Sequence, residues 1–137
     1  MEAAGVAGLT IEDTELPSAY GKPPKGLISV EETLGKFQSA LDARQDPGLC
    51  LLARSTALTA LPAAEAIERI AQYVHLPVDG LFLVGVQNFE QLEAVRQLTT
   101  LPIVLGGIEA SASGLPGGKS RPTCQNSLRS CALASLA

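Results

Sequence analysis

Glu12, Asp13 and Arg54 are the residues whose types and placing could do chemistry. The run Gly8-Leu9-Thr10-Ile11-Glu12-Asp13-Thr14 passes from apolar residues into two acids, and Leu51-Leu52-Ala53-Arg54-Ser55 passes from apolar residues into an arginine. Each reads as a buried parallel strand whose carboxyl end delivers a charged side chain. In α/β proteins that end of the sheet is where ligands bind. A carboxylate suits a hard metal ion, held directly or through its water shell. A guanidinium is a planar fork that matches the carboxylate of a bound acid. Together they suggest metal-assisted chemistry on a small anionic acid.

Positioning such groups needs strands and the helices that cover them. Four short apolar segments read as strands, at residues 8–11, 49–53, 80–86 and 102–105. Three amphipathic helices separate them. The first spans residues 30–43, with Val30, Leu34, Phe37 and Leu41 on one face. Ser29 and Glu32 match a capping box, which fixes the helix start by satisfying free backbone donors. The second begins near Pro62, is expected to bury Ile67, Ile70, Ala71 and Val74, and is stopped by Pro77. The third begins at Asn88, with Gln91 three residues on, and is expected to bury Phe89, Leu92 and Val95. Strand and helix in this alternation predict parallel pairing through right-handed crossovers. An open doubly wound sheet and part of a (β/α)8 barrel would both produce it, and no G-x-G-x-x-G fingerprint follows any strand.

Composition narrows the function classes. All 14 acids fall in residues 1–110, with seven of the ten bases, so the body is acidic and nucleic acid is not the expected partner. The three cysteines and the single histidine, His75, lack zinc-site spacing. Cys50 in a strand reads as core packing, and His75 reads as a favourable charge near a helix end. No apolar stretch approaches the roughly 20 residues of a membrane helix, and the first residues lack the basic and apolar regions of a secretory leader. A cytoplasmic setting is expected. Gly114-Leu115-Pro116-Gly117-Gly118-Lys119-Ser120 invites a phosphate-loop reading but fails on spacing, because Ser113 stands where the first glycine belongs. Residues 109–137 lose all periodicity and read as a low-complexity tail beside a folded unit at 1–108.

The first motif, then Leu27-Ile28-Ser29-Val30-Glu31-Glu32, Leu41-Asp42-Ala43-Arg44-Gln45-Asp46-Pro47 and Leu52-Ala53-Arg54, follow one another in an order that resembles the isocitrate lyase/phosphoenolpyruvate mutase superfamily. The wording of the first motif is nearest to its oxaloacetate decarboxylase branch. The resemblance continues through Glu65-Ala66-Ile67, Tyr73, Asp79-Gly80 and Val84-Gly85-Val86 to about Leu105. It implies a partial (β/α)8 TIM-type barrel, with four parallel strands standing for the fourth to seventh of the family fold. It implies Mg²⁺, or alternatively Mn²⁺, as cofactor and a small 2-keto dicarboxylic acid as substrate. A full-length relative would be a homo-oligomer. On this reading the strands that bring a chelating aspartate pair are not among these residues. The chain would be a truncated member with a frame-shifted tail, and inactive by itself.

The resemblance also assigns residues. Glu12 matches a carboxylate that holds the metal's water, Asp13 an adjacent group that orients Glu12 or caps the loop, and Arg54 an arginine that grips a substrate carboxylate. Residues 15–26 match a loop that gates the site. Tyr20, with Gly21 and Lys22, stands where the lyase branch carries a cysteine acid, a departure that argues against its carbon–carbon cleavage. The expected reaction is decarboxylation of oxaloacetate to pyruvate and CO2. The alternatives are a methylisocitrate-type carbon–carbon lyase, a phosphonomutase, and a half barrel with no catalysis whose sheet edges invite pairing.

Overall fold

The computed structural model describes residues 2–16, 20 and 26–106. Gly21, Lys22 and the tail expected at 109–137 lie outside the described residues. Strand β1 (Gly8–Glu12) leads to helix α1 (Val30–Ala43), then β2 (Cys50–Ser55), α2 (Ala57–Ala60), α3 (Ala63–Tyr73), β3 (Gly80–Val84), α4 (Phe89–Leu98) and β4 (Ile103–Gly106). The strands form one sheet in the order β1-β2-β3-β4, every pair parallel. Strands in sequence order with helical crossovers make part of a (β/α)8 barrel.

Strand register sorts the side chains into two faces, because neighbours in register point the same way and alternate along each strand. Ile11, Ala53, Leu81 and Ile103 form one row, and Ser55, Leu83 and Leu105 another on the same face. That face meets Phe37 of α1, Ala66, Ile70 and Tyr73 of α3, and Val95 of α4 in the main core. Phe37 and Tyr73 meet edge to face at 5.1 Å, a favoured aromatic geometry. On the opposite face, Leu52, Phe82, Val84 and Val104 are half-buried.

Local chemistry explains the helix boundaries. Ser29 Oγ accepts a 3.1 Å bond from the Glu32 N–H, which starts α1 at Val30. Asn88 caps α4 by accepting from the Gln91 N–H at 2.9 Å, and Gln91 Oε1 accepts in return from the Gln87 N–H. This exchange draws Gln91 into the buried face. Phe89, expected to be covered, is instead 45 % exposed at the first position of α4. The buried face of α3 is also turned by one residue from expectation. Ala66, Arg69, Ile70 and Tyr73 are buried, while Ile67, Ala71 and Val74 are only half-covered. The single-turn helix α2 had no counterpart among the expected elements. β3 stops at Val84, because Gly85 adopts a φ of +71° that turns the chain.

The amino end of the sheet is pinned by Asp79, whose Oδ2 accepts from Arg44 at 2.9 Å and from the Leu51 N–H at 2.8 Å. Among the described residues no helix is long and apolar enough to cross a membrane.

A candidate carboxylate site at the carboxyl end of the sheet

Glu12 ends β1 and Arg54 is the last residue but one of β2. The two are register partners, so both leave the sheet on the same face at its carboxyl end. Arg54 Nε lies 3.4 Å from Glu12 Oε2, with the two side chains 38 % and 24 % exposed. Nε makes no hydrogen bond within the described residues. The pair is therefore an ion contact without hydrogen-bond alignment. The same register row continues to Phe82, and the Arg54 guanidinium carbon sits 5.7 Å from the centre of that ring. The Glu12 carbonyl accepts from Lys36 Nζ at 2.8 Å, which ties the strand end to α1.

Asp13 is one residue further on and, by strand alternation, faces the helices. It is completely buried. Its Oδ2 accepts from Ser55 Oγ at 2.7 Å, from Tyr73 OH at 3.0 Å and from Arg69 Nε at 3.4 Å, and its Oδ1 accepts from the Thr56 N–H at 3.2 Å. Arg69 extends the cluster by donating to the Ile28 carbonyl at 2.6 Å and to Thr33 Oγ1 at 3.1 Å. A buried charge is tolerated only with such partners. Burial, and then the Asp13 charge, push the Tyr73 phenol well above the ordinary tyrosine range, so it stays protonated and donates. Asp13 thus links the ends of β1 and β2 to α1 and α3.

The loop after β1 has a closed base. Ile28 N–H donates to the Asp13 carbonyl and Glu15 N–H to the Gly26 carbonyl, each at 3.0 Å, around an antiparallel bridge between Thr14 and Leu27. Of the expected gating residues, Tyr20 is fully exposed. Gly21 and Lys22 lie outside the described residues.

The donor set tests how a metal would fit. Among the described residues no three His, Cys, Asp or Glu side chains converge. Asp13 has both oxygens engaged by protein donors in the interior, so it has no face toward a cation beside Glu12. Glu12 brings a single carboxylate, which fits a contact through metal-bound water and does not by itself chelate a hard cation.

Sequence reasoning missed Arg69 and Phe82. Arg69 carried a signal, since Ala66, Arg69, Ile70 and Tyr73 keep helical spacing and place one charge within an apolar stripe. Phe82 read only as one more apolar strand residue.

The sequence pattern of the phosphoenolpyruvate phosphomutase family matches residues 1–114. The chain belongs to this family. It is 53% identical over 106 residues to an oxaloacetate decarboxylase of Rhodopseudomonas palustris, an alignment covering 77% of this chain and 37% of the relative. An oxaloacetate decarboxylase of a Bradyrhizobium species is 48% identical over 115 residues, covering 84% of this chain and 40% of the relative. Among solved structures, a phosphonopyruvate hydrolase complexed with oxalate and Mg²⁺ superposes with a TM-score of 0.62 at 31% identity, over 76% of this chain and 37% of that one. This family member therefore spans well under half the length of the relatives it matches.

Proposed function

We propose that this chain forms part of a carboxy-lyase that converts oxaloacetate to pyruvate and CO2 with a divalent metal, Mg²⁺ or Mn²⁺. One observation carries the reading. Arg54 is held at the carboxyl end of the sheet beside Glu12 and Phe82, and among the described residues its buried Nε takes no hydrogen-bond partner. The half-identical decarboxylases support the choice of substrate.

In this proposal residues 1–108 contribute one portion of the barrel. Arg54 binds a carboxylate of the keto acid through parallel N–H donors and fixes its orientation. Glu12 accepts from water in the metal's shell and keeps Arg54 turned toward the site. When bound, the cation supplies a Lewis acid for the negative charge that develops on the keto oxygen as CO2 departs. Because no three such carboxylates converge among the described residues, the 137-residue chain alone turns over no oxaloacetate beyond the metal's own background.

A chimera tests the reading. Residues 1–106 replace the matching segment of the Rhodopseudomonas palustris decarboxylase, and pyruvate release is followed with and without a chelator. Metal-dependent turnover that falls in Arg54→Ala is expected. A folded chimera that ignores oxaloacetate would sink the proposal. One that instead cleaves phosphonopyruvate would transfer the site to the chemistry named for the hydrolase relative.

A further inference from the structure

We infer that Phe82 is a positioning residue for Arg54, its ring holding the guanidinium by cation–π attraction without taking a hydrogen-bond donor. The inference rests on Arg54 being the carboxylate-binding group.

Three observations converge on Phe82. It is the register partner of Arg54 on the next strand, so both side chains rise from the same face at the same level. Its ring centre lies 5.7 Å from the Arg54 guanidinium carbon, within the range where a ring's negative face attracts a cation. The space for the ring comes from Gly106 at the end of β4. A side-chain carbon there would collide with Phe82, coming within 2.7 Å of its Cζ. Gly106 therefore has a packing reason for being glycine, and that reason is the ring under Arg54.

The chemistry of an arginine site explains the use of a ring. Its recognition of a carboxylate depends on N–H groups that point outward in the guanidinium plane. A protein carboxylate placed to make two hydrogen bonds would orient the group but occupy those donors. A ring attracts the cation and occupies none. Glu12 supplies the remaining restraint, at 3.4 Å and without hydrogen-bond alignment. The ring and the carboxylate together restrain where the guanidinium sits.

Arginine-labelled NMR of the full chain tests this directly. The Arg54 Nε–Hε signal, assigned through Arg54→Lys, is expected to be shifted by the Phe82 ring current. That shift should persist in Phe82→Tyr and vanish in Phe82→Leu. The chimera carries the same residues and gives the same reading where the shorter chain does not hold its fold. An Arg54 signal with no ring-current shift in the unmutated protein overturns the inference without any variant. In the chimera, Phe82→Leu should raise KM for oxaloacetate about two- to five-fold with kcat nearly unchanged, and Phe82→Tyr should restore it. A loss confined to kcat would also overturn it. The spectrum needs no ligand, so failure of the positioning role is distinguishable from failure of the decarboxylase reading.

Discussion

Glu12 and Asp13 are neighbours in the chain yet belong to opposite faces of the sheet. Glu12 meets Arg54 at the open carboxyl end, while Asp13 is buried against α3 and takes donors from Ser55, Thr56, Arg69 and Tyr73. The strand's two-residue period splits an acidic pair into one group beside Arg54 at the sheet's end and one buried in the fold.

Asp13→Asn should destabilise the protein by about 3 kcal/mol or more, because it leaves the buried Arg69 charge without its counterion. Urea unfolding followed by circular dichroism measures this. A midpoint equal to that of the unmutated chain would show that the cluster contributes no stability.

Tyr73 gives the protein an alkaline limit. In the unfolded chain the phenol ionises near its ordinary value of about 10, whereas in the folded chain it holds its proton to higher pH. Below the ordinary value both states are protonated and the group adds no pH dependence. Above it the folded state binds a proton that the unfolded state lacks, so stability falls as pH rises through the folded value. In Tyr20→Phe, phenolate absorbance reports Tyr73 alone and should appear only together with unfolding. Adding Tyr73→Phe should remove this slope. Phenolate absorbance rising well before the fold is lost would contradict the assignment.

Arg54→Lys should behave as a damaging change in the chimera, since a point charge does not reproduce a planar fork. KM for oxaloacetate should rise by about ten-fold or more, in line with losing a charged hydrogen bond of about 1.5–3 kcal/mol. Glu12→Gln should instead raise the metal concentration needed for half-maximal rate more than it raises KM. Unchanged kinetics in both variants would remove the two residues from the site.

Gly85→Ala should cost about 1–2 kcal/mol, because its φ of +71° strains any side chain and a methyl group there meets Thr59. Thr59→Ala in the same chain should recover only the steric part. Thermal unfolding of the two variants separates the contributions, and full recovery in the double variant would deny the backbone strain.

Much of this architecture was legible from particular residues. Ser29 with Glu32 located the start of α1, Asn88 with Gln91 that of α4, and the apolar runs ending at Glu12 and Arg54 located two strands. Tertiary partners decided the rest. The period of α3 was read correctly, but Asp13 draws Arg69 and Tyr73 inward and turns the buried face one residue from the most apolar choice. Phe89 is exposed because the capping exchange places Gln91 inside. Phe82 was invisible as a site residue because its role depends on the register of β3 against β2, which no local pattern encodes.

The partners of Asp13 lie 42 to 60 residues further along the chain. Closing loops of that length carries an entropic cost that local contacts cannot offset early, so such contacts form late in folding. As the chain leaves the ribosome, β1 and α1 emerge long before Tyr73 can reach the carboxylate. Until then Asp13 lacks its partners on α3, and strand pairing alone holds the end of β1 beside Arg54. The Asp13 cluster is thus expected to be among the last features to be set. Substitutions in the Asp13 cluster should act on the rate at which the folded chain opens more than on the rate at which it forms.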